Sequence, residues 1–349
     1  MQTRTWLGPS RFGARMELPP FDSTKPTNRH INHQKSVHHS TNLMTPNHWN
    51  NLSYVLITPA RNEAEFIELT LQSVIKQTVL PLKWVIVNDG STDSTADIVR
   101  GYTSQNPWIE LVQMPEHVER DFACKVRAFN AGYEKVRGLA YDAIGSLDAD
   151  ISFEADYFEF LLLKLTQDPR LGVVGTPFVE EGKHYDYRFT NIEHVSGACQ
   201  LFRRDCFEEI GGYTPIKGGG IDWVAVTTAR MKGWKTRTFT ERTCDHHRPM
   251  GKGTGNKIQS AIRHGQKDYF LGGHPIWQVF RSVYQIARPP YVVGGLCLFI
   301  GYALASLSRV KRPVPVELIR FHRAEQMARL KSFFTGGYGR NRCDGAQRR

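Results

Sequence analysis

Cysteine is scarce in this sequence and follows no regular spacing. Six cysteines occur among 349 residues, and none forms a C-x-x-C pair, which argues against a disulfide framework. The basic residues near the N-terminus are not followed by the apolar stretch of a secretory signal peptide. We therefore expect free thiols and a folded region in the reducing cytosol.

A sustained apolar period is missing from the first 50 residues, which are rich in Asn, Thr, Pro and His. Such a segment cannot bury enough apolar surface to offset its conformational entropy, so we predict a disordered tail over residues 1–50. Its histidines could bind a metal ion, but their irregular spacing favours solvated side chains; they are His30, His33, His38, His39 and His48.

Acidic residues are few in the C-terminal part of the chain. The sequence carries a formal charge of +11, and from Arg309 onward eleven basic residues stand against three acidic ones. Basic residues beside an apolar segment favour an anionic membrane surface, whereas nucleic-acid binding would need basic and aromatic residues interleaved on a folded face. We therefore expect a membrane partner and no nucleic acid, with a basic tail over residues 336–349.

Short apolar runs alternate with helical periods between residues 51 and 270. The predicted strands are residues 54–58, 84–89, 109–114 and 143–148. The helix after the first strand has apolar residues at positions i, i+4 and i+7, which are Ile67, Leu71 and Val74. This alternation predicts an α/β domain with a mostly parallel sheet and helices on both faces.

Polar clusters follow three of these strands, at residues 59–63, 88–93 and 148–150. Because ligands of open α/β sheets bind beyond the carboxyl ends of the strands, we expect the clusters to form one site. Asp148 and Asp150 are two residues apart on an extended segment, so both can face one Mg²⁺ or Mn²⁺ ion. Asp89, followed by Gly90, can accept a hydrogen bond from a nucleobase N–H.

Cationic side chains are predicted near these carboxylates. Arg61 follows the first strand and suits a phosphate or base contact, and Lys125 and Arg127 open a helix where they could neutralise a diphosphate. Structural alternatives stay open. Asn62 could cap the next helix and Glu63 could interact with its dipole. The two helical cations could instead lie on a solvated face.

Residues 271–335 are predicted to form membrane-associated helices. Residues 274–288 place apolar side chains on one helical face, residues 289–308 carry no formal charge, and residues 316–334 combine an apolar period with basic side chains. The uncharged segment could cross the roughly 30 Å hydrocarbon layer, with a buried core helix as the alternative. Basic residues on both of its flanks favour a monotopic or re-entrant attachment, for which Gly294, Gly295 and Gly301 could permit a kinked path.

The order of the polar motifs is itself informative. P-x-R-N-E, NDGSTD, KVRAFNAG and LDAD begin at residues 59, 88, 125 and 147, and with them the segment from Tyr54 to His247 resembles glycosyltransferase family 2, nucleotide-sugar-dependent enzymes of the GT-A fold. The resemblance implies that Asp150 binds a divalent metal directly and that Asp148 contacts ribose, sugar or metal-bound water. It also implies that Asp89 contacts the nucleobase and that Lys125 lies near the diphosphate. Four residues would surround the base and ribose: Pro59, Ala60, Arg61 and Glu63.

Three further sites follow from the same resemblance. Inverting members use a carboxylate as general base, and GGGIDW at residues 218–223 makes Asp222 the candidate, although apolar Ile221 stands where a second carboxylate is common. A helix N-cap is the structural alternative for Asp222. Residues 195–213 resemble the acceptor loop, a strand that leads into a helix. A late histidine, His246 or His247, could complete the metal site.

The sequence therefore predicts an inverting, metal-dependent glycosyltransferase at the cytoplasmic membrane face, with a UDP-sugar as the commonest donor of the resembled family. The acceptor would be a lipid-linked or polysaccharide-precursor hydroxyl. The Q-x-x-R-W motif of processive synthases is missing, since QSAIRH at residues 259–264 has other spacing and no Trp. A polyprenyl phosphate acceptor is one alternative, and a non-catalytic nucleotide-binding scaffold of a membrane complex is another.

Overall fold

The strands of the described residues form two sheets. The structure, a computed structural model, describes residues 52–118, 121–180, 182–184, 191–248, 257–288 and 290–335, so the tails predicted over residues 1–50 and 336–349 lie outside it. In chain order the strands are β1 (Tyr54–Ala60), β2 (Lys83–Asn88), β3 (Ile109–Gln113), β4 (Ala143–Leu147), β5 (Ile151–Phe153), β6 (Leu171–Gly175), β7 (Phe178–Glu180), β8 (Lys183–His184), β9 (Cys199–Arg203), β10 (Lys235–Thr238) and β11 (Cys244–His246). The helices are α1 (Ile67–Ile75), α2 (Thr95–Thr103), α3 (Phe122–Val136), α4 (Tyr157–Gln167), α5 (Arg204–Glu209), α6 (Ile221–Met231), α7 (Lys257–Phe270), α8 (Pro275–Ile286), α9 (Val293–Leu307) and α10 (Val316–Phe334).

The larger sheet has the strand order β10, β6, β9, β4, β1, β2, β3. Its neighbours pair in parallel, except that β9 is antiparallel to both β4 and β6. The mostly parallel sheet is confirmed, and the four predicted strands begin within one residue of their expected starts.

Both faces of this sheet are buried under helices. Tyr54 and Leu56 of β1 belong to one apolar cluster, which includes residues of α1, α2 and α4. Val55 and Ile57 belong to a second cluster, which includes residues of α3, α5 and α6. Successive strand residues point to opposite faces, so a strand covered on both sides is mainly apolar, as β1 is. Its one buried polar side chain, Thr58, accepts from Trp84 Nε1 at 2.9 Å.

The register of the parallel strands sets the position of the polar clusters. Ala60 of β1 pairs with Asn88 of β2, and Ile57 of β1 pairs with Ser146 of β4. The segments that follow these strands therefore leave the sheet at the same edge. The smaller sheet, in the order β5, β11, β7, β8, adds His246 to this edge, because β11 pairs antiparallel with β5 and places His246 opposite Ile151.

Glycines let two C-terminal helices approach closely. A Cβ atom on Gly265 of α7 would lie 2.0 Å from the Leu298 carbonyl oxygen, and one on Gly301 of α9 would lie 2.0 Å from the Ile262 carbonyl oxygen. Gly301 thus serves a close helix crossing, and α9 is one helix from Val293 to Leu307 that includes it. Within the described ranges, no helix has both the length and the apolarity to cross a bilayer. The membrane association of residues 271–335 stays a prediction.

The last described helix, α10, packs on the domain through α6. Arg230 of α6 donates to Glu325 of α10 at 2.7 Å, and the Trp223 and His322 rings meet edge to face at 4.5 Å. His322 Nδ1 is buried and has no hydrogen-bond partner among the described residues. Burial, followed by the charges of Arg230, Arg329 and Arg323, lowers the pKa of His322 to about 3.

This buried neutral histidine predicts a loss of stability in acid. The unfolded chain takes up a proton near pH 6.5 and the folded chain only near pH 3, so stability falls as pH drops below 6.5. The slope for one proton is at most about 1.4 kcal/mol per pH unit. We expect His322→Gln to lack this contribution in urea unfolding at pH 7, 6 and 5. Equal pH slopes for the two proteins would contradict the burial of a neutral His322.

Candidate active site

A cavity of about 290 Å³ lies where β1, β2 and β4 end, and we call it the strand-tip cavity. The predicted site residues that line it are Pro59, Ala60, Arg61, Glu63, Asp89, Lys125, Asp148 and Asp150. The structure therefore brings together side chains from four separate stretches of sequence. Their individual roles stay predictions.

Asn62 joins two of the polar clusters. Its backbone is left-handed, with φ 55°, a conformation that Asn tolerates better than most residues. Its Oδ1 accepts from the Thr92 N–H at 2.8 Å, and its own N–H donates to Ser91 Oγ at 3.0 Å. The capping role considered for Asn62 is wrong, because Phe66 holds the N-cap position of α1. Asn62 instead fixes the Arg61 segment against the turn after Asp89.

His117 holds the nucleobase candidate Asp89 and the cation Arg61 together. His117 Nε2 lies 2.9 Å from Asp89 Oδ1, and His117 Nδ1 lies 3.2 Å from Arg61 Nη1. Arg61 also donates to the His117 carbonyl oxygen. Asp89 is only 5% exposed, yet a carboxylate accepts through two oxygens. His117 therefore orients Asp89 and leaves it acceptor capacity for a nucleobase N–H.

Lys125 pairs with one of the two central carboxylates. Asp121 caps α3 by accepting from the N–H groups of Ala123 and Cys124, which fixes the first turn that carries Lys125. The Lys125 ammonium donates to Asp148 Oδ1. Burial alone would lower the pKa of Lys125, but the Asp148 carboxylate outweighs burial and raises it. Lys125 is thus a fixed positive charge at the site.

Asp150 lies among groups of both signs. It is 7% exposed, with Oδ2 at 3.7 Å from His246 Nε2 and at 3.6 Å from Arg248 Nε. Arg248 also pairs with Glu63 and donates to the Asn62 carbonyl oxygen at 2.9 Å. Burial and then the Asp150 charge raise the pKa of Glu63 to about 7, while Arg248 opposes the rise. The carboxylates are crowded enough that a further cation would relieve their repulsion.

The donor set fits a hard divalent cation whose coordination is completed by a ligand. Asp150 and Asp148 offer carboxylate oxygens, and the buried Nδ1 of His246 has no hydrogen-bond partner among the described residues. Oxygen-rich sites suit Mg²⁺ and Mn²⁺, which commonly bind through one or two carboxylates together with substrate phosphates. In the part of the chain described, no three His, Cys, Asp or Glu residues are already assembled around a metal position. Diphosphate oxygens would have to supply the remaining ligands.

Two predicted residues, Arg127 and His247, line neither the strand-tip cavity nor the larger cavity that adjoins it. Arg127 is exposed on α3 and donates to Cys124 Sγ at 3.0 Å. It lies two residues from Lys125, about 200° around the helix, so the two cannot face one ligand. His247 contacts Ser152 Oγ at 2.8 Å and stacks on Phe66. It points away from the side chain of His246, because adjacent residues of an extended chain face opposite sides.

A larger cavity of about 710 Å³ adjoins the first, and we call it the central cavity. Lys125 and Asp148 line both cavities, while Asp222 and His246 line the central one. Asp222 lies in the first turn of α6, and Gly220, with φ 88°, is the N-cap residue. The N-cap alternative for Asp222 is therefore wrong. Its carboxylate shares a cavity with the Lys125–Asp148 pair.

The predicted acceptor loop forms one wall of the central cavity. β9 leads directly into α5, as expected for residues 195–213, and Ser196, Gly197 and Ala198 line the cavity just before β9. Gly197 lies close to the candidate base, since a Cβ atom there would be 3.2 Å from Asp222 Cβ and 3.3 Å from Asp222 Oδ2. Only a glycine leaves the carboxylate in its present position without a close contact.

Sequence reasoning missed several residues of these cavities. His117 follows β3, so its place at a fourth strand tip was an available signal. His194, His264 and Lys267 line the central cavity, the last two from α7. Sequence spacing gave no sign of them, because packing against distant segments, including α9 and the start of α6, places α7 at the site.

Comparisons with known proteins place this geometry in a family. A model described as Glycosyl transferase family 2 matches residues 55–191. Poly-beta-1,6-N-acetyl-D-glucosamine synthase of Staphylococcus aureus (strain COL) is 30% identical over 136 residues, 39% of this chain and 31% of that protein. Chondroitin synthase of Pasteurella multocida (strain Pm70) is 31% identical over 118 residues, 34% of this chain and 11% of that protein. The chain thus spans about a third or less of these curated relatives.

The fold is shared with a solved glycosyltransferase structure. The structure of GalNAc-T7 with UDP, GalNAc and Mn²⁺ superposes with a TM-score of 0.53 and 14% identity, over 83% of this chain and 58% of that chain. The family match covers β1 to β8, and the strand-tip residues from Pro59 to Asp150 lie within it. Residues 55–191 therefore match glycosyltransferase family 2, and the chain shares its fold with this glycosyltransferase structure.

Proposed function

We propose that the protein is an inverting glycosyltransferase that moves a sugar from a UDP-sugar to a hydroxyl of a lipid-linked or polysaccharide-precursor acceptor. The observation that carries the proposal is that Asp222 lines the same cavity as Lys125 and Asp148. The candidate base, Asp222, and two candidate donor-binding residues, Lys125 and Asp148, thus line the same cavity. The relatives named above are synthases of polysaccharides, which supports a sugar-transferring activity.

The chemistry assigned to these residues is a single displacement at the anomeric carbon. The acceptor oxygen forms a bond to that carbon, its proton moves to Asp222, and the bond to the diphosphate oxygen breaks with its electron pair. The Lys125 ammonium is placed to stabilise the charge that develops on the diphosphate. Asp89 and His117 hold the nucleobase end, and the buried His246 and Asp150 face the diphosphate end.

A divalent metal, Mg²⁺ or Mn²⁺, belongs to this proposal. Asp150 would bind it directly, with Asp148 and His246 close by, and it would neutralise negative charge on the leaving group. Asp148 already pairs with Lys125, which favours Asp150 as the direct ligand. The GalNAc-T7 structure holds UDP and Mn²⁺ on the same fold.

Turnover of a donor panel tests the proposed activity. Purified protein would be incubated with UDP-, GDP- and dTDP-sugars, Mn²⁺ or Mg²⁺ and a membrane lipid extract, and release of the nucleoside diphosphate would be followed. We expect release from one donor class that depends on both the metal and the extract. Nucleotide binding without turnover across the panel would favour a scaffold instead.

Gly197→Ala tests the position of the candidate base. The added Cβ atom lies 3.2 to 3.3 Å from atoms of Asp222, so the carboxylate must shift by a few tenths of an ångström. Misplacement of reacting groups by about 1 Å can cost 10²-fold, and we expect a kcat about tenfold lower with the affinity for UDP unchanged. Gly138→Ala is the matched control, because a Cβ atom added there meets no atom within 4 Å. An unchanged kcat for Gly197→Ala would argue against Asp222 as the base.

We also propose that the protein docks on the cytoplasmic face of the membrane. Seven aliphatic and aromatic side chains of α8 and α9, each at least 42% exposed, form what we call the apolar face: Ile276, Val279, Val283, Leu296, Phe299, Ile300 and Leu304. Arg309 and Lys311, both exposed, follow α9 directly. Contiguous apolar surface bordered by cations suits an anionic lipid surface. This monotopic contact requires no spanning helix.

Vesicle co-sedimentation tests this contact. We expect Val279→Asp/Val283→Asp to lose most binding to vesicles of phosphatidylglycerol and phosphatidylcholine, because two charges would enter the interfacial region. The matched control is Leu80→Asp/Leu82→Asp, which alters exposed leucines between α1 and β2. Equal vesicle binding by both double variants would refute docking through the apolar face. If the wild type self-associates and only Val279→Asp/Val283→Asp abolishes this, the apolar face is a dimer interface instead.

A further inference from the structure

A third cavity, of about 610 Å³, borders Asp222; most of its lining surface is apolar, although charged and amide side chains such as Asp268, Arg281 and Gln326 also line it. We call it the aromatic pocket; its aromatic residues are Trp223, Trp277, Phe280, Tyr284 and Phe333. Its volume lies within the roughly 300–1,000 Å³ typical of small-molecule sites. Nearly all of its lining comes after residue 191, where the family match ends. The pocket is thus a product of this chain's C-terminal helices.

The aromatic pocket joins the central cavity at its polar end. Four residues line both: His194, Asp222, His264 and Lys267. A molecule in the aromatic pocket could therefore place a hydroxyl at Asp222 while a donor occupies the strand-tip cavity. The three cavities therefore adjoin one another in a row. The strand-tip cavity shares Lys125 and Asp148 with the central cavity, and the central cavity shares Asp222 with the aromatic pocket.

The other end of the pocket adjoins the apolar face along α8. Trp277, Phe280 and Tyr284 recur at i, i+3 and i+7 and line the pocket. Ile276 and Val283 belong to the apolar face, about 100° around the helix from Trp277 and Tyr284. The two surfaces are therefore neighbours.

Two pocket residues also reach the surface at this end. Tyr284 is 36% exposed and Phe333 is 51% exposed. The pocket thus runs from a carboxylate at its inner end to aromatic rings beside an exposed apolar surface. Polar side chains also line the pocket, but Arg281 is paired with Asp268 at its wall. Most of the lining surface is apolar, which matches an apolar chain better than a saccharide that needs hydrogen bonds along its length.

We propose, on the basis of the proposed function, that the aromatic pocket binds the apolar chain of the acceptor. The acceptor is then a lipid whose hydroxyl, on its own head group or on a sugar attached to it, reaches Asp222. Its chain enters from the apolar face, where the membrane would supply it. This assigns Trp277, Phe280 and Tyr284 to acceptor binding.

Calorimetry with alkyl glucosides tests the pocket without a known acceptor. Methyl and octyl β-D-glucoside would be titrated into the full-length protein below the micellar concentration of the octyl compound. Each buried methylene increases affinity about fourfold, so we expect octyl glucoside to bind at least about tenfold more tightly than the methyl compound. Trp277→Ser should remove most of this gain, and the surface variant Ile276→Ser should keep it.

Several outcomes would overturn the inference. One is equal affinity for the two glucosides, and another is a higher affinity for octyl glucoside that persists in Trp277→Ser. The third is a loss of this difference in Ile276→Ser as large as in Trp277→Ser, which would place the alkyl chain on the surface. If Trp277→Ser lowers the thermal midpoint strongly, Tyr284→Ser with Val283→Ser as control repeats the test. The titrations contain no nucleotide, so they do not depend on the proposed activity. If the proposed function fails, no donor is turned over, yet octyl glucoside still binds more tightly than methyl glucoside.

Discussion

Asp150→Asn should lower metal-dependent turnover by about 10³-fold and leave the fold intact. A bound cation contributes several kcal/mol of charge stabilisation to a departing diphosphate, and each 1.36 kcal/mol corresponds to a tenfold change in rate. Asp150 is 7% exposed, and its Oδ2 lies 3.7 Å from His246 Nε2 and 3.6 Å from Arg248 Nε. Asn keeps its shape but removes the charge that holds the metal. Steady-state release of nucleoside diphosphate against Mn²⁺ concentration measures the effect.

The fold should tolerate this change because the charge at Asp150 is balanced. It is attracted by Arg248 and repelled by Glu63, whose pKa is raised first by burial and then by Asp150. We expect the thermal midpoint to change by only a few degrees. Asp245→Asn is the matched control, since Asp245 is an exposed residue of β11 beside His246. Wild-type turnover in Asp150→Asn, or an equal loss in Asp245→Asn, would remove Asp150 from the metal site.

Asp222→Asn should lower kcat by about 10² to 10⁴-fold, the range that a positioned general base contributes. The amide cannot accept the proton of an acceptor hydroxyl, while the strand-tip cavity, which Asp222 does not line, should bind donor as before. The signature is therefore a reduced kcat with an unchanged affinity for the nucleotide. Single-turnover transfer and calorimetric titration with UDP separate the two quantities.

This variant also distinguishes the two acceptor chemistries. A phosphate acceptor is already ionised and needs no base, so activity largely retained in Asp222→Asn would indicate a polyprenyl phosphate acceptor. Asp205→Asn is the control, because Asp205 is an exposed carboxylate in the first turn of α5 and lines neither cavity described around Asp222. A comparable loss in Asp205→Asn would mean that the effect is not local to the site.

Local pattern was sufficient to predict most of the fold and the strand tips. The buried strands are short and mostly apolar runs, and α10 begins and ends where the apolar period predicted. The convergence of Asp89 and Asp150 on one cavity followed from a general property of parallel sheets, that their carboxyl ends share an edge. Elementary helix and strand geometry could also have shown that two pairs of candidate residues do not face the same ligand. Lys125 and Arg127 stand on different sides of a helix, and His246 and His247 on opposite sides of an extended segment.

Contacts between distant segments could not be predicted in this way. The place of His117 between Asp89 and Arg61 depends on where the loop after β3 folds back. The contribution of His264 and Lys267 to the central cavity depends on the packing of α7 against α9 through Gly265 and Gly301. Neither arrangement leaves a periodic or spaced pattern in the sequence, because each arises from three-dimensional packing.

Calorimetric titration of UDP, GDP and dTDP with and without Mn²⁺ tests the central claim most directly. The account predicts that one of these nucleotides binds, that Mn²⁺ increases its affinity at least about tenfold, and that Asp150→Asn abolishes the increase. It would be contradicted if none of the nucleotides bound, or if the increase with Mn²⁺ persisted unchanged in Asp150→Asn.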